Sequence, residues 1–421
     1  MLILYSWVIR IAAPLLRLYI WRRVRTGKED KQRYRERFGL STLPRPQGDL
    51  IWVHAASVGE SLAVLPLIEE LVAQNPKQQI LMTTGTVTAA TLMAKRLPPI
   101  CLHQYIPLDV PHWIKRFLDH WRPSTAIFVE SDLWPNILLT CKQRQIRLVL
   151  VNARISPKSQ NRFRKFPHIV HKVLACFDLI ISPSQRITDF ISSFDLQNVV
   201  TVDNIKFAAS PLSYDPMAYS NLKADIGDRP LWLAASTHPG EEQIAAYTHR
   251  HLQKKFPNVL TIIVPRHPVR GPKIAKDLKG FAVLRRTQTA RIPNDCQIYI
   301  ADTLGEIGLF YALSPITLVG GSFVEGFGGH NPIEPALLDC AILWGPHIYN
   351  SKEICQLLEP SARPVQTPDE LAQGVEALLC DPAEATKIAK EVKELVEGQQ
   401  DVLKMMLPLL RPYLVSLHET L

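Results

Sequence analysis

Two α/β domains, each a doubly wound parallel sheet of Rossmann type, are what this sequence predicts, with an apolar helix ahead of the first. Three observations carry the expectation. Short, continuously apolar runs alternate with longer mixed segments, the alternation occurs twice along the 421 residues, and a stretch without any period separates the two halves. A strand covered by helices on both faces reads as an unbroken apolar run rather than an alternation. At roughly 150 residues per domain, the length also suggests two or three domains.

The strand candidates of the first half are 50–54, 80–83, 125–129, 147–151, 179–182 and 199–202. Those of the second half are 231–235, 259–264, 282–284, 297–301, 316–319 and 341–343. Helix-like segments such as 62–74, 113–120, 241–255 and 306–311 lie between them, which gives a βαβα order twice over. The boundaries read as an anchor helix over 1–25, a first domain over 26–207, a linker over 208–229, a second domain over 230–381 and helices over 382–421. The last of these segments is expected to pack back on the first domain.

An apolar fraction of 47% excludes wholesale disorder, and the absence of a clean apolar run of 18 excludes a polytopic membrane protein. The seven cysteines are scattered and lack a C-x-x-C pair, as expected of reduced thiols. No zinc-ligand spacing occurs, so no metal and no cofactor is expected.

Charge is concentrated at one end. Residues 1–45 hold eleven basic and three acidic side chains, a net +8, which leaves +1 of the total +9 for the rest. Such a localised field suits an anionic surface. The flanking sequence points to lipid rather than nucleic acid, because Trp7, Trp21 and many leucines and isoleucines accompany the charge and no nucleic-acid motif is present. Arg10 and Arg17 are seven apart and share one helix face. With Pro14 they argue against a comfortable span, so the segment reads as a helix in the membrane interface. A docking helix of an ordinary domain is the alternative reading.

In open parallel sheets ligands bind beyond the carboxyl ends of strands, so the polar residues just after each strand are the site candidates. The first run leads into His54-Ala-Ala-Ser-Val-Gly-Glu60, where Glu60 opens a helix. Two readings stand: a carboxylate that takes a proton from a hydroxyl, or a first-turn acid that suits the helix. After 125–129 comes Glu130-Ser-Asp-Leu-Trp-Pro-Asn136, where Glu130 either faces the site or, with Asp132, caps the next helix. Lys206 follows the last strand of this half and is placed to neutralise a phosphate or carboxylate, or lies solvated.

In the second half, Arg266 follows its strand between two prolines and offers a phosphate-binding fork. Gly305 and Glu306 open a helix after 297–301. The stretch Val319 to Pro335 is the richest in signal, with five glycines within ten residues and Asn331-Pro332 as a helix start behind them. Its backbone amides are expected to approach a ligand, and Glu334 to accept from ribose hydroxyls. Neither a P-loop nor a dinucleotide fingerprint occurs.

Taken together, His54-Ala-Ala-Ser-Val-Gly-Glu60, Glu130-Ser-Asp-Leu-Trp-Pro-Asn136, Asn204-Ile-Lys206-Phe, Val264-Pro-Arg266-His and Gly329-His-Asn-Pro-Ile-Glu334-Pro resemble the motifs of the 3-deoxy-D-manno-octulosonic acid (Kdo) transferases, in the family's order over nearly the whole chain. The resemblance implies a GT-B fold, with the two domains facing across a cleft and an N-terminal membrane helix. It implies inverting transfer of Kdo from CMP-Kdo to a lipid A precursor, lipid IV-A, at the cytoplasmic face of the inner membrane, in lipopolysaccharide core biosynthesis and without a metal. It further implies Glu60 as proton acceptor, Glu130 and Lys206 as transition-state stabilisers, and Pro265, Arg266, Gly305, Glu306, Ile307, Asn331, Pro332, Ile333 and Glu334 as the CMP-binding residues. The partners expected are the CMP-Kdo donor, the lipid A precursor and, through residues 1–45, anionic inner-membrane lipid, with no nucleic acid. Two other readings are open: a GT-B enzyme using a UDP-sugar, and a non-catalytic membrane-bound nucleotide sensor.

Overall fold

The computed structural model describes residues 1–414; the end of the expected C-terminal helical segment, 415–421, lies outside the described residues. The chain forms two units, Ser210–Gln400 and the remainder on either side of it.

Unit 1 carries a seven-stranded, all-parallel sheet of β1 (Leu50–Ala55), β2 (Gln79–Thr84), β3 (Leu102–Tyr105), β4 (Thr125–Val129), β5 (Arg147–Val151), β6 (Leu179–Ser182) and β7 (Val199–Thr201). The order is β3-β2-β1-β4-β5-β6-β7, so the winding reverses between β1 and β4. Unit 2 carries a second parallel sheet of β8 (Leu231–Thr237), β9 (Leu260–Pro265), β10 (Val283–Arg285), β11 (Ile298–Ile300), β12 (Ile316–Val319), β13 (Ala341–Trp344) and β14 (Arg363–Pro364). Its order is β10-β11-β9-β8-β12-β13-β14, with the reversal between β8 and β12.

The apolar runs behave as parallel strands should. Every residue of β1, β4, β8's first five positions and β9 is buried. In unit 1 the core is aromatic: Trp52 packs between Phe117 and Phe128 at ring-centroid distances of 4.9 and 5.2 Å, and its indole N–H donates to Thr83 Oγ1 at 2.8 Å. Two strands escaped the sequence reading. β3 reads Leu-His-Gln-Tyr and is polar because His103 and Gln104 are bonded inside, to Arg33 and to Trp121. β14 is two residues long and contains a proline at the sheet edge.

The stretch expected as a linker, 208–229, contains a helix, Pro216–Ile226, whose Leu222 and Ile226 are buried in unit 2. Asp215 caps it. The C-terminal helices divide: Pro382–Glu397 lies in unit 2, and Val402–Leu414 belongs to unit 1, where the Thr125 hydroxyl donates to the Tyr413 carbonyl at 2.5 Å.

The N-terminal helix, Leu2–Arg25, is docked along a narrow stripe. Ala13 and Ile20 are buried, Ile9, Ala13 and Leu16 pack with Val110 and Trp113, and the Tyr5 hydroxyl donates to Asp109 at 2.9 Å. Arg17 lies over the Trp113 ring. The rest of the helix is an open apolar surface of Ile3, Leu4, Trp7, Val8, Ile11, Leu15 and Leu18, all more than half exposed. Its length and composition are those of a helix able to cross a membrane. The basic segment behind it is partly consumed by the fold. Arg23 and Arg37 share the buried Glu29, Arg33 pairs with Glu36, and Arg45 donates to three backbone carbonyls.

Candidate active site

Both sheets present chemistry at their reversal points. At the end of β1 the chain turns through Ala56 and Ser57 into the helix Val58–Gln74. Ser57 caps that helix, its Oγ accepting from the Glu60 N–H at 3.3 Å. Glu60 answers with both oxygens: Oε2 accepts from the Ala56 N–H at 2.7 Å and Oε1 from the Ser57 hydroxyl at 3.0 Å. This is a reciprocal cap, so the helix-start role weighed from the sequence is real. It leaves each oxygen a further lone pair. Burial lifts the Glu60 pKa above the ordinary carboxylate range and the negative charge of Glu130 adds to it, against the pull of Ala56, Ser57 and His54. A carboxylate that is harder to ionise is a better proton acceptor once ionised.

Glu130 follows β4 directly and is buried, with φ at 60°. For a residue with a side chain such a backbone costs about 1–3 kcal/mol and persists only where the surroundings enforce it. The enforcement is visible: the Glu130 N–H donates to the Val151 carbonyl at 3.0 Å, and its own carbonyl accepts from the Arg154 N–H at 3.2 Å. Lys206 Nζ lies 2.8 Å and Arg154 Nη1 3.4 Å from its carboxylate. Burial alone would raise its pKa, but these two cations outweigh it and keep Glu130 ionised below the usual range. Lys206 is placed by a single 3₁₀ turn, Ile205–Ala208, which is capped by Asn204 and tied to β5 through Asn152.

Glu60, Glu130 and Lys206, each named from the sequence, therefore meet at one point of unit 1. Asp132 has a different task from the capping considered for it. Its carboxylate takes His54 Nε2 at 2.8 Å, while His54 Nδ1 lies 2.9 Å from Thr83 Oγ1. The next helix, Pro135–Gln143, is instead served by Asp109, which accepts from the Asn136 and Ile137 N–H groups at 3.1 and 2.9 Å. Asp109 is distant in sequence, which is why the pattern around Glu130 did not reveal it.

In unit 2, β8 runs further than its apolar stretch. A bulge at Ser236, with φ at 57°, carries it on to Thr237 and delivers His238 at the tip. Behind it the fully buried Glu241 accepts four N–H bonds, from His238 at 2.8 Å, Gly321 at 2.7 Å, and Ser322 and Phe323 at 3.0 Å each. The start of the glycine loop is thus spent on Glu241, not turned toward a ligand as the sequence suggested. Gly320 is required there, since a Cβ would stand 2.5 Å from the Ala235 carbonyl oxygen. The helix behind Asn331-Pro332 is only Ile333–Ala336, one turn, so its dipole is small; Pro332 sits at its start, Asn331 Oδ1 accepts from Ile333, and Glu334 is half-buried in that turn.

The far side of the same loop folds over the β8 tip. Phe327 stacks on His238 with ring centroids 3.7 Å apart, and His330 Nε2 lies 2.9 Å from His238 Nε2. From β9, Pro265 ends the strand and Arg266 follows, its N–H donating to the Thr237 carbonyl; among the described residues its guanidinium has no hydrogen bond or ion pair. His267 stands edge-on to His238, and Arg270 pairs with Glu242 at 2.8 Å. Burial first, then the neighbouring cations and imidazoles, bring His238 down to about 4 and His330 down to about 3, and lower His267 as well. In all three the neutral imidazole is the form the surroundings favour. Gly305 has φ at 85°, and Ile307 begins the helix Ile307–Leu313. Glu306 is engaged by Arg286 at 2.8 Å and by the Thr303 hydroxyl; burial works to raise its pKa, but these partners hold it below the usual range. His238, Arg270 and Glu241 were not singled out from the sequence. The signal available was the position of His238 just past a strand, hidden because the strand continues through polar Ser236 and Thr237.

Comparison with known proteins places these features in a family. The family described as 3-Deoxy-D-manno-octulosonic-acid transferase (kdotransferase) matches residues 32–209. The probable mitochondrial 3-deoxy-D-manno-octulosonic acid transferase of Arabidopsis thaliana is 37% identical, over 88% of this chain and 86% of that protein. The 3-deoxy-D-manno-octulosonic acid transferase of Haemophilus influenzae is 34% identical, over 97% of this chain and 98% of that protein. Among solved structures, UDP-GlcNAc 2-epimerase from Neisseria meningitidis bound to UDP-GlcNAc covers 87% of this chain and 100% of its own at a TM-score of 0.60. Its 14% identity makes that a likeness of fold alone.

Proposed function

Because this chain belongs to the family of 3-deoxy-D-manno-octulosonic acid transferases, glycosyltransferases here built on the GT-B fold of two Rossmann-like sheets, we propose that it moves Kdo from CMP-Kdo to a hydroxyl of lipid IV-A, the lipid A precursor. The observation that carries the mechanism is the state of Glu60: held by two donors, with its proton affinity raised by burial and by Glu130. The acceptor hydroxyl gives its proton to Glu60 as its oxygen attacks the anomeric carbon. The bond from that carbon to the phosphate oxygen breaks with inversion, and the electron pair leaves with CMP. One positioned base accelerates such a step by about 10²–10⁴-fold.

Glu130 and Lys206 serve the same step. Glu130 stays ionised through Lys206 and Arg154 and raises the proton affinity of Glu60, while Lys206 holds a cation on the Glu130 carboxylate. On unit 2 the leaving phosphate gains negative charge, and Arg266, free of internal partners among the described residues, is poised to take it. Pro265, Gly305, Glu306, Ile307, Asn331, Pro332, Ile333 and Glu334 supply the rest of the CMP site in this reading, with Glu306 held in place by Arg286.

The reaction belongs in this proposal to lipopolysaccharide core biosynthesis at the cytoplasmic side of the inner membrane. The docked stripe of the N-terminal helix, repeating at Tyr5, Ile9, Ala13, Leu16 and Ile20, favours a helix lying along the lipid surface rather than across it. Its open face offers apolar side chains worth roughly 1.5–3 kcal/mol each when fully buried. Anionic lipid adds about 1 kcal/mol for each basic residue near the surface.

The test is made with the purified full chain, lipid IV-A in anionic vesicles, and CMP-Kdo or UDP-sugars as donors. Mass spectrometry of the lipid is expected to show addition of Kdo from CMP-Kdo alone, and the enzyme is expected to sediment with the vesicles. A lipid left unmodified by CMP-Kdo overturns the reading, and modification by a UDP-sugar replaces it. An enzyme that stays in the supernatant overturns the membrane assignment.

A further inference from the structure

The motifs of the sequence leave His238 without a task, yet it occupies the strongest position in unit 2, the tip of β8 at the reversal point beside β12. Around it the fold gathers titratable and cationic groups from three elements. His330 and the roof Phe327 come from the glycine loop, Arg266, His267 and Arg270 follow β9, and Glu241 and Glu242 open the helix behind β8. The two carboxylates are committed, Glu241 to four backbone N–H groups and Glu242 to Arg270 and Thr237. What remains unanswered at the β8 tip is cationic or imidazole.

The His238–His330 contact has a definite chemistry. Nε2 to Nε2 at 2.9 Å between near-parallel rings, 8° apart, is a hydrogen bond in which one neutral imidazole donates and the other accepts. One Nδ1 of the pair then bears a hydrogen and the other a lone pair. A single added proton goes to that lone pair and leaves an imidazolium still bridged to its neighbour. The pair therefore stores room for one positive charge without losing its contact.

We propose that His238 and His330, with Arg266 and Arg270 beside them, form an oxyanion site that takes up one proton together with its anion. The proposal rests on the reading of unit 2 as the holder of the nucleotide sugar, whose phosphodiester and sugar carboxylate are the two oxyanions available. Without ligand, burial first and then the neighbouring cations and imidazoles keep the pair neutral; an anion answers the second of these causes. An opposite charge within about 4–6 Å favours the protonated form by about 1–3 pKa units, which carries His238 from about 4 toward the neutral range. The bound complex then holds more protons than the free protein, so affinity rises as pH falls, until free His238 itself titrates. The captured proton lies beside the oxyanion, where it offsets the charge that grows on the leaving group.

The experiment is calorimetry of the full chain at pH 6 in buffers of different ionisation enthalpy. Three probes are titrated: CMP methyl ester, a phosphodiester that does not itself titrate there, free Kdo, and cytidine. Uptake of a fraction of one proton is expected with the ester if the phosphate is the anion, or with Kdo if the carboxylate is, and none with cytidine. Affinity for that anion is expected to be about 3–10-fold tighter at pH 5.5 than at pH 7.5. His238→Gln and, separately, His330→Gln keep a side-chain amide near Nε2 but cannot titrate, and are expected to bind without proton uptake and without the pH dependence. Anion binding by the native chain with no proton uptake overturns the proposal and leaves the transferase reading intact. Uptake unchanged in both variants does the same. Failure of both the ester and Kdo to bind overturns the transferase reading of unit 2 itself.

Discussion

Glu60 and Glu241 occupy corresponding places in two sheets of the same design, each in the first turn of the helix that follows the strand at the reversal point. They are used in opposite ways. Glu60 is partly open, takes two short-range donors from its own turn, and has a raised proton affinity. Glu241 is sealed and accepts four backbone N–H bonds, three of them from a loop some eighty residues away. The scaffold dictates where a carboxylate stands, and its hydrogen-bond partners decide whether it keeps lone pairs to spare or is spent on holding a loop.

The largest separation of the two comes from Glu60→Gln. The amide keeps the shape and the contact with Ala56 but accepts no proton. Turnover is expected to fall by about 10²–10⁴-fold. The loss of stability in a denaturant titration should stay within about 1–2 kcal/mol, the worth of a cap. Near-normal turnover would mean that Glu60 is a helix cap and nothing more, and the base must be sought elsewhere.

Glu241→Ala inverts the pattern. Four N–H groups lose their acceptor, and each buried donor left unpaired costs on the order of 1–3 kcal/mol. Water reaching the vacated space recovers part of that, so a destabilisation of about 3–5 kcal/mol is expected in denaturant unfolding of unit 2. A change below about 1 kcal/mol would show that the loop is held by Phe327 and His330 rather than by Glu241.

This contrast also marks what the residues alone disclose. Parallel strands announce themselves, because being covered on both faces leaves an unbroken apolar run; β4, β5, β6 and β12 begin and end where the pattern says. β3 does not, because its polarity is satisfied by partners elsewhere in the fold, Arg33 and Trp121. The same distinction runs through the site. Glu60, Glu130, Lys206 and Arg266 sit immediately past an apolar run or close behind it, and their places follow from strand geometry. Glu241 and Asp109 matter through bonds to segments distant in sequence, and no local pattern encodes those. Five glycines suggested amides aimed at a ligand, but one of them, Gly320, serves a close approach to β8, where it meets the Ala235 carbonyl.

The smallest effect tests the coupling between Glu60 and Glu130. The charge of Glu130 opposes ionisation of Glu60, so a neutral amide at position 130 lets Glu60 lose its proton at lower pH. With Glu60 as the proposed proton acceptor, which works only when ionised, activity is expected to fall as pH drops through the Glu60 pKa. In Glu130→Gln the acid limb of the kcat/KM profile, which reports the free enzyme, is therefore expected to move to lower pH by up to about one unit. This holds whatever happens to the height of the profile, because a lost contact lowers the plateau without moving the limb. A limb that stays in place while the plateau falls would confine Glu130 to contacts with substrate. A limb that moves to higher pH would mean that the Glu130–Lys206 pair as a whole favours the Glu60 anion, and that Lys206 rather than Glu130 sets the balance at the tip of β4.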